Sequence, residues 1–381
     1  MSDTFDQLTS PAHRRAWGLR NWLNRQVARP GFQSVISKTP GLSRIARKEG
    51  EALFDLVAGF VNSQVLSALV ELEICETLLE VGHASPEALA HGTGVPTNKM
   101  DSLLRAGVAL GLLHVDKSGD FSVSQRGAAL VGVPGLRAMI RHHGALYQDL
   151  ADPVALLRGE QETQLAQVWP YVFGDGGRAH PDIKRFYSDL MADSQAMVAA
   201  DTLRMASLKG HERLMDVGGG SGAFALAVAK RHRDLRLQVF DLPGVADQAF
   251  ERFDDAGFAE RLTISSGSFR IDTLPVGADV ISLIRVLYDH QDETVRDLLA
   301  KCHDALPPGG KLIVSEPMTG GQAPSRSGDV YFTFYCMAMQ TGQARSADRI
   351  GELVSEAGFD QVQIPRAPRP FVTSCVVAIK H

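Results

Sequence analysis

Arg213-Leu214-Met215-Asp216-Val217-Gly218-Gly219-Gly220-Ser221-Gly222 is the stretch on which the fold turns. An apolar run feeds a loop of glycines, and Ala223 to His232 then carry helix-forming residues. Glycines at such a strand-to-helix turn let the backbone approach a ligand at the helix N-terminus. Two cofactors fit the spacing. Read as G-x-G-x-x-A through Gly218, Gly220 and Ala223, the loop would hold the pyrophosphate of NAD. Read as acid-x-G-x-G-x-G from Asp216 through Gly218, Gly220 and Gly222, it would hold the amino-acid end of S-adenosylmethionine. The carboxylate of Asp216, two residues ahead of the first glycine, can orient loop amides and a bound ammonium group, which favours the second reading. Asp241, in Phe240-Asp241-Leu242-Pro243 after the next apolar run, can accept both hydroxyls of a ribose, which either cofactor carries.

Outward from this loop, short apolar runs alternate with helical segments. They lie at 213–217, 235–240, 262–264, 279–284, 311–314, 362–364 and 373–379. Such a βαβ succession predicts a mostly parallel, doubly wound, Rossmann-like sheet. Toward the N-terminus the pattern is helical. Apolar residues at 53, 56, 57, 60, 61, 65, 66, 69 and 70 predict a helix over 51–72. Ser85-Pro86-Glu87 reads as an N-cap with proline at the first helical position, and Asn98 to Leu110 as a second amphipathic helix. Leu112 to Val115, a Lys117-Ser118-Gly119-Asp120 turn and Phe121-Ser122-Val123 complete a winged helix. Residues 136–200 read as helices with loops at 159–161 and 174–181. The expected domains are a basic arm over 1–50, a mostly α winged-helix region over 51–180 and the α/β domain over 181–381.

A winged helix invites a DNA-binding reading, but between Thr97 and Gly111 the only charges are Lys99, Asp101 and Arg105. Phosphate contact needs a basic face, so no nucleic-acid partner is expected. Net charge is −5 over 381 residues, with 44% apolar and 22% charged content, the profile of a soluble globular chain with a sizeable core. Cys75, Cys302, Cys336 and Cys375 are scattered without CxxC spacing, which predicts neither a zinc site nor a disulfide framework. Met1 to Leu8 has no apolar signal core, and Leu53 to Leu72 is interrupted by Asp55, Asn62, Gln64 and Glu71, so a cytoplasmic protein is expected. Residues 1–50 hold nine Lys or Arg against three acids, a net of +6. With Trp17, Leu19, Trp22, Leu23 and Val27, that arm suits either an anionic membrane surface or a partner subunit.

Four stretches together resemble a known family. They are Asp216 to Gly222, Phe240 to Val245, Arg285-Val286-Leu287-Tyr288-Asp289-His290-Gln291-Asp292-Glu293, and Ala305 to Glu316 with its Pro307-Pro308-Gly309-Gly310 turn. They look like the S-adenosylmethionine-dependent O-methyltransferases of the plant caffeic-acid and bacterial polyketide type, over roughly Leu53 to the C-terminus. The resemblance implies S-adenosyl-L-methionine as cofactor, a homodimer joined through the winged-helix region, and a hydrophobic small-molecule substrate. Arg47 to Phe60, Arg141-His142-His143 to Gly159, and Ala367 to Thr373 are similar to the members that methylate the tertiary hydroxyl of an acyclic hydroxycarotenoid. A polyketide phenol and a chlorophyll-type macrocycle stay open as substrates. A winged-helix regulator sensing a metabolite is the alternative from another class.

The resemblance also implies roles, and the chain departs from several. The family's histidine slot holds Tyr288, followed by Asp289; of two acids flanking it, one matches Glu316 and the other falls near Ala344. An aliphatic alcohol is far less acidic than a phenol, so proton removal must accompany methyl transfer. Candidate acceptors are Tyr288 relayed to Asp289, or His142 or His143 on the helix that lines the family's pocket; His290 is a fourth. Neighbouring helix positions diverge, so only one of His142 and His143 is expected at a pocket, and both could be surface residues. For the cofactor, Leu242 follows the ribose acid, Ser268 stands where an adenine-binding acid is usual, and Phe269 offers the ring an apolar face. Arg285 could cap the cofactor carboxylate or pair with a neighbouring acid. Tyr147, Tyr335 and Met339 are the expected substrate contacts, the last two on an aromatic, methionine-rich helix between Asp329 and Thr341.

Overall fold

A computed structural model describes residues 18–40, 42–168, 195–243 and 245–381. Trp17, the expected loop at 174–181 and the boundary at 180/181 lie outside the described residues. The chain opens with α1 (Gly18–Val27), α2 (Pro30–Lys38) and the 30-residue α3 (Leu42–Glu71). Periodicity placed the start of α3 at 51; it begins nine residues earlier, because Arg44, Ala46, Arg47, Lys48 and Glu49 are good helix formers that a search for apolar spacing does not register. By length and composition α3 could cross a bilayer. Its second half instead packs into protein: Leu69 and Val70 are buried, with Val65 and Leu66 against the same core.

That core is closed by α4 (Ile74–Val81), α5 (Pro86–Thr93), α6 (Thr97–Ala109), the hairpin β1 (Leu113–Val115) and β2 (Phe121–Val123), and α7 (Gln125–Gly132). Local chemistry sets the boundaries. The Ser85 hydroxyl accepts from the Ala88 amide at 3.3 Å and caps α5, with Pro86 in the first turn. One Asp116 carboxylate oxygen accepts from the amides of Ser118 and Asp120 at 2.9 and 3.0 Å and closes the wing turn. Next come α8 (Leu136–Asp149), α9 (Pro153–Arg158) and α10 (Gln164–Val168). The break between α8 and α9, absent from the expected loops, is made by Asp152, which caps α9 ahead of Pro153.

A helix over 195–205 (α11) leads into the seven-stranded sheet. Its elements are β3 (Arg213–Val217), α12 (Ala223–Arg231), β4 (Arg236–Asp241), α13 (Ala246–Asp255), β5 (Leu262–Ser266), β6 (Val280–Ile284), α14 (Asp292–Ala305) and β7 (Lys311–Glu316). A wide π turn over Arg326–Phe332 then runs into α15 (Thr333–Met339), followed by α16 (Ala347–Glu356), β8 (Asp360–Gln363) and β9 (Ser374–Ile379). All seven apolar runs are strands, ordered β5-β4-β3-β6-β7-β9-β8. The first five are parallel, and β9 runs antiparallel between β7 and β8. From β3 the chain pairs outward to β4 and returns on the other side as β6, so a crevice opens at the carboxyl ends of β3 and β6. The residues after Val217 and Ile284 therefore face each other.

Candidate active site

The glycine loop is held from below and open above. Gly218, Gly220 and Gly222 all have positive φ, at 67°, 56° and 71°. A side chain on Gly218 would meet Val286 at 2.9 Å, and one on Gly222 would meet Ala249 at 2.9 Å, whereas nothing lies within 4 Å of that position on Gly220. A ligand can therefore reach the Gly220 backbone. Asp241 spans the mouth: its two carboxylate oxygens accept from the amides of Gly220 and Leu242, each at 2.7 Å. Each oxygen keeps a free lone-pair direction, enough for two ribose hydroxyls. Asp216 is buried beneath the loop, accepting from the Ser282 hydroxyl at 2.6 Å, and burial pushes its carboxyl up to about 7. Its place is under the loop backbone, not on the loop's open side.

At the other end of the crevice Ser268 starts a turn in which its amide donates to Asp272 at 2.8 Å and its hydroxyl accepts from the Arg270 amide at 3.4 Å. Phe269 packs against the sheet core and lies edge-on to His290, with centroids 5.2 Å apart. His290 also approaches Arg270 at 3.1 Å, and burial holds it down near 4. That places His290 beside Phe269, on this side of the site. The glycine loop, Asp241 and Phe269 together fit S-adenosylmethionine: an open backbone, a diol acceptor and an apolar ring face.

After β6 the backbone turns sharply, with Arg285 in the left-handed region at φ 60°. Its guanidinium hydrogen-bonds the Tyr288 hydroxyl and lies close to Asp289, so of its two expected roles the pairing one is occupied. Tyr288 is 5% exposed; burial raises its phenol above the ordinary range while Arg285 pulls it partly back. Burial pushes the Asp289 carboxyl up to about 8, with Arg285 opposing and Glu316 reinforcing. Glu316, at the end of β7, accepts from the Tyr288 amide at 3.1 Å, and burial lifts it to about 7. Among the described residues, one oxygen of each of these carboxyls has no hydrogen-bond partner. The turn thus gathers two carboxyls of raised pKa, a guanidinium and a neutral phenol.

His142 and His143 are not surface residues. His142 Nε2 lies 2.8 Å from the Tyr335 hydroxyl, and His143 Nε2 lies 2.7 Å from that of Tyr331. Adjacent residues on α8 both reach one partner because the π turn widens into α15 and stacks Tyr331 on Tyr335, with centroids 6.0 Å apart. Both histidines are thereby engaged, each by its own tyrosine, which sets aside the surface reading. Desolvation holds His142 at about 4 and lowers His143 as well, so both are neutral. Tyr147 stands edge-on to His143 at 6.1 Å. Tyr288, Tyr335 and Met339 share one apolar cluster with Leu146, Leu156 and Leu165, and Ala344 packs against it. Tyr288, Tyr335, Met339 and the two histidines therefore meet in one layer between α8 and α15.

Sequence reading missed three contributors. Ser282 holds Asp216, and Tyr331 holds His143. Arg345, 3% exposed, donates to the carbonyls of Leu287, His290 and Gln343 and to Asp292, so it clamps the turn carrying Tyr288 and Asp289. Tyr331 had a signal, since it stands four residues before Tyr335. Arg345 had none.

Comparison with known proteins agrees with this geometry. Residues 147–360 match the model of an O-methyltransferase domain, and residues 54–131 that of the O-methyltransferase dimerisation domain. The chain is 50% identical over 370 residues to a demethylspheroidene O-methyltransferase of Cereibacter sphaeroides, covering 97% of both chains. It is 48% identical over 361 residues to the protein of that name in Rhodobacter capsulatus, covering 95% of this chain and 90% of the other. Human N-acetylserotonin methyltransferase, solved with its S-adenosylmethionine, superposes with a TM-score of 0.74 at 24% identity, over 90% of this chain and 99% of that one. A glycine loop held by the Asp241 carboxylate, a sheet of this order and two matched domains leave one conclusion: the chain belongs to the S-adenosylmethionine-dependent O-methyltransferases and, through its dimerisation domain, is a homodimer.

Proposed function

We propose that the substrate is an acyclic hydroxycarotenoid of the demethylspheroidene type, methylated on its tertiary hydroxyl. The observation carrying this reading is the site's proton acceptor: the position after β6 holds a buried phenol, Tyr288, between Arg285 and two carboxyls of raised pKa. Near-full-length likeness to two relatives named for that substrate supports it. The apolar layer of Tyr147, Tyr335 and Met339 is the proposed substrate wall. Asp241 takes the ribose, Gly218, Gly220, Gly222 and Leu242 line the loop, and Ser268 and Phe269 take the adenine; Asp216 braces the loop.

The bound cofactor supplies an electrophilic methyl on a sulfonium. The chain's residues align the alcohol with it, exclude water and receive the proton. When the alcohol oxygen takes the methyl that the sulfonium would give up on becoming a neutral thioether, the alcohol proton passes to the Tyr288 oxygen while the Tyr288 proton passes to the ionised Asp289. Glu316 fixes the Tyr288 amide, and His142 and His143 set the tyrosines of α15. The division of labour we assign is arm 1–50, dimerisation region 51–180 and methyltransferase domain 181–381. The setting is cytoplasmic, with peripheral contact at the inner membrane through the arm. The test offers purified enzyme and methyl-labelled cofactor to an acyclic hydroxycarotenoid and, separately, to a polyketide phenol. Label in the carotenoid methoxy group is expected; label only in the phenol overturns the reading.

A further inference from the structure

The arm is a sequence feature that neither matched domain absorbs, since the dimerisation match begins at residue 54. It is not peculiar to this chain: an alignment spanning 370 of the 381 residues leaves eleven uncovered, too few to omit residues 18–50 from the likeness to the Cereibacter sphaeroides protein. Within 18–50 the charges are Arg20, Arg25, Arg29, Lys38, Arg44, Arg47 and Lys48 against a single acid, Glu49. All seven basic residues are exposed. On α1, Trp22 and Leu23 form an apolar edge 55% and 48% exposed, flanked around the helix by Arg20 and Arg25, with Arg29 just beyond its end at the cap of α2. Leu42 and Ile45 repeat the arrangement at the start of α3, beside Arg44, Arg47 and Lys48. Arg47 has a salt bridge with Glu51 at 3.7 Å, and both are exposed.

We propose that α1 and the first two turns of α3 are a docking surface for an anionic lipid bilayer. A tryptophan and leucine edge ringed by arginines seats the apolar side chains at headgroup depth and leaves the guanidinium groups against lipid phosphates. The charge selects this occupant over a second arm, which would carry the same net positive charge. The second half of α3 is fixed in the dimerisation core by Leu69 and Val70, so the helix meets the bilayer from outside and does not span it. The proposal deepens the carotenoid reading and rests on it for its purpose: such a substrate partitions into the bilayer, and the arm brings the enzyme to that reservoir.

Co-sedimentation of the full chain with phosphatidylcholine vesicles, and with vesicles enriched in phosphatidylglycerol, tests it. Binding is expected only to the anionic vesicles and should weaken as salt rises. Each near-surface basic residue strengthens partition about fivefold, so Arg20→Gln, Arg25→Gln and Arg29→Gln together should weaken it on the order of a hundredfold. Trp22→Ala should weaken it further at unchanged charge. Turnover of detergent-dispersed hydroxycarotenoid by the triple variant should match wild type, while turnover of vesicle-embedded substrate falls. Equal partition onto both vesicle types, or undiminished binding by the triple variant, overturns the proposal. So does a Trp22→Ala protein that sediments as a monomer yet still binds vesicles, which would give the surface to the second copy. If no carotenoid is methylated in any form, the substrate reading fails, and vesicle binding still decides this one.

Discussion

Asp241 joins two amides of different segments with one carboxylate, and the same two oxygens are what a ribose diol needs. Asp241→Ala removes a charged acceptor from both hydroxyls, so affinity for S-adenosylmethionine should fall by roughly 2 to 3 kcal/mol. Titration calorimetry reads this directly, and an unchanged Kd would remove Asp241 from the cofactor site. Tyr288→Phe keeps the ring but deletes the hydroxyl held by Arg285; kcat should drop about 10²-fold with cofactor binding intact. The acceptor's own titration gives a second test. Asp289 must be ionised to take the proton, and its carboxyl is raised to about 8, so kcat should climb as pH rises through that value. A rate flat from pH 6 to 9, a range set around that pKa, would exclude Asp289 as the acceptor.

At the scale of elements, β3, β4, β6, β7 and β9 were legible because each is a short, mostly apolar run buried on both faces, as in the fully buried β6. The loop after β3 was legible because positive φ at three alternate positions demands glycine. The beginning of α3 was not, since its first turns are held by helix propensity and local charge instead of a buried stripe. The α8–α9 break carried its own marks, a capping aspartate before a proline, inside a stretch read as continuous helix. The joint between α8 and α15 could not be read at all: residues 142 and 335 become partners only through the tertiary fold. That joint has a pH signature. His142 and His143 are held below their ordinary value, so the stability they contribute is present above about 6.5 and lost as pH falls toward 4. Resistance to thermal unfolding should therefore fall as pH drops through that window, and His142→Gln, which keeps a polar tip near Tyr335 without the titration, should flatten the dependence. An identical acid slope in wild type and variant would show that the joint does not titrate.

The whole molecule is a homodimer, and the exposed apolar stripe of α3 is where part of its interface is expected. Downstream of the arm, Leu53, Leu56, Val57 and Phe60 recur on one stripe of that helix, and Phe60 is 71% exposed in the single chain. A stripe of this size is costly to leave in water, and it begins where the dimerisation segment begins. The same helix then turns inward through Val65, Leu66, Leu69 and Val70 to the protomer's own core, so one element links subunit contact to domain stability. The two halves of α3 should respond differently to substitution. Leu69→Ala opens a cavity in the core and should cost about 2 to 5 kcal/mol of unfolding stability. Phe60→Asp leaves the core untouched but places a charge where an apolar surface closes on its copy, so the dimer should weaken by at least about 10²-fold while each protomer stays folded. Sedimentation velocity over a dilution series, with circular dichroism on the same samples, separates the two outcomes. A Phe60→Asp protein that remains dimeric at every dilution would move the interface off this stripe and onto the remainder of segment 54–131.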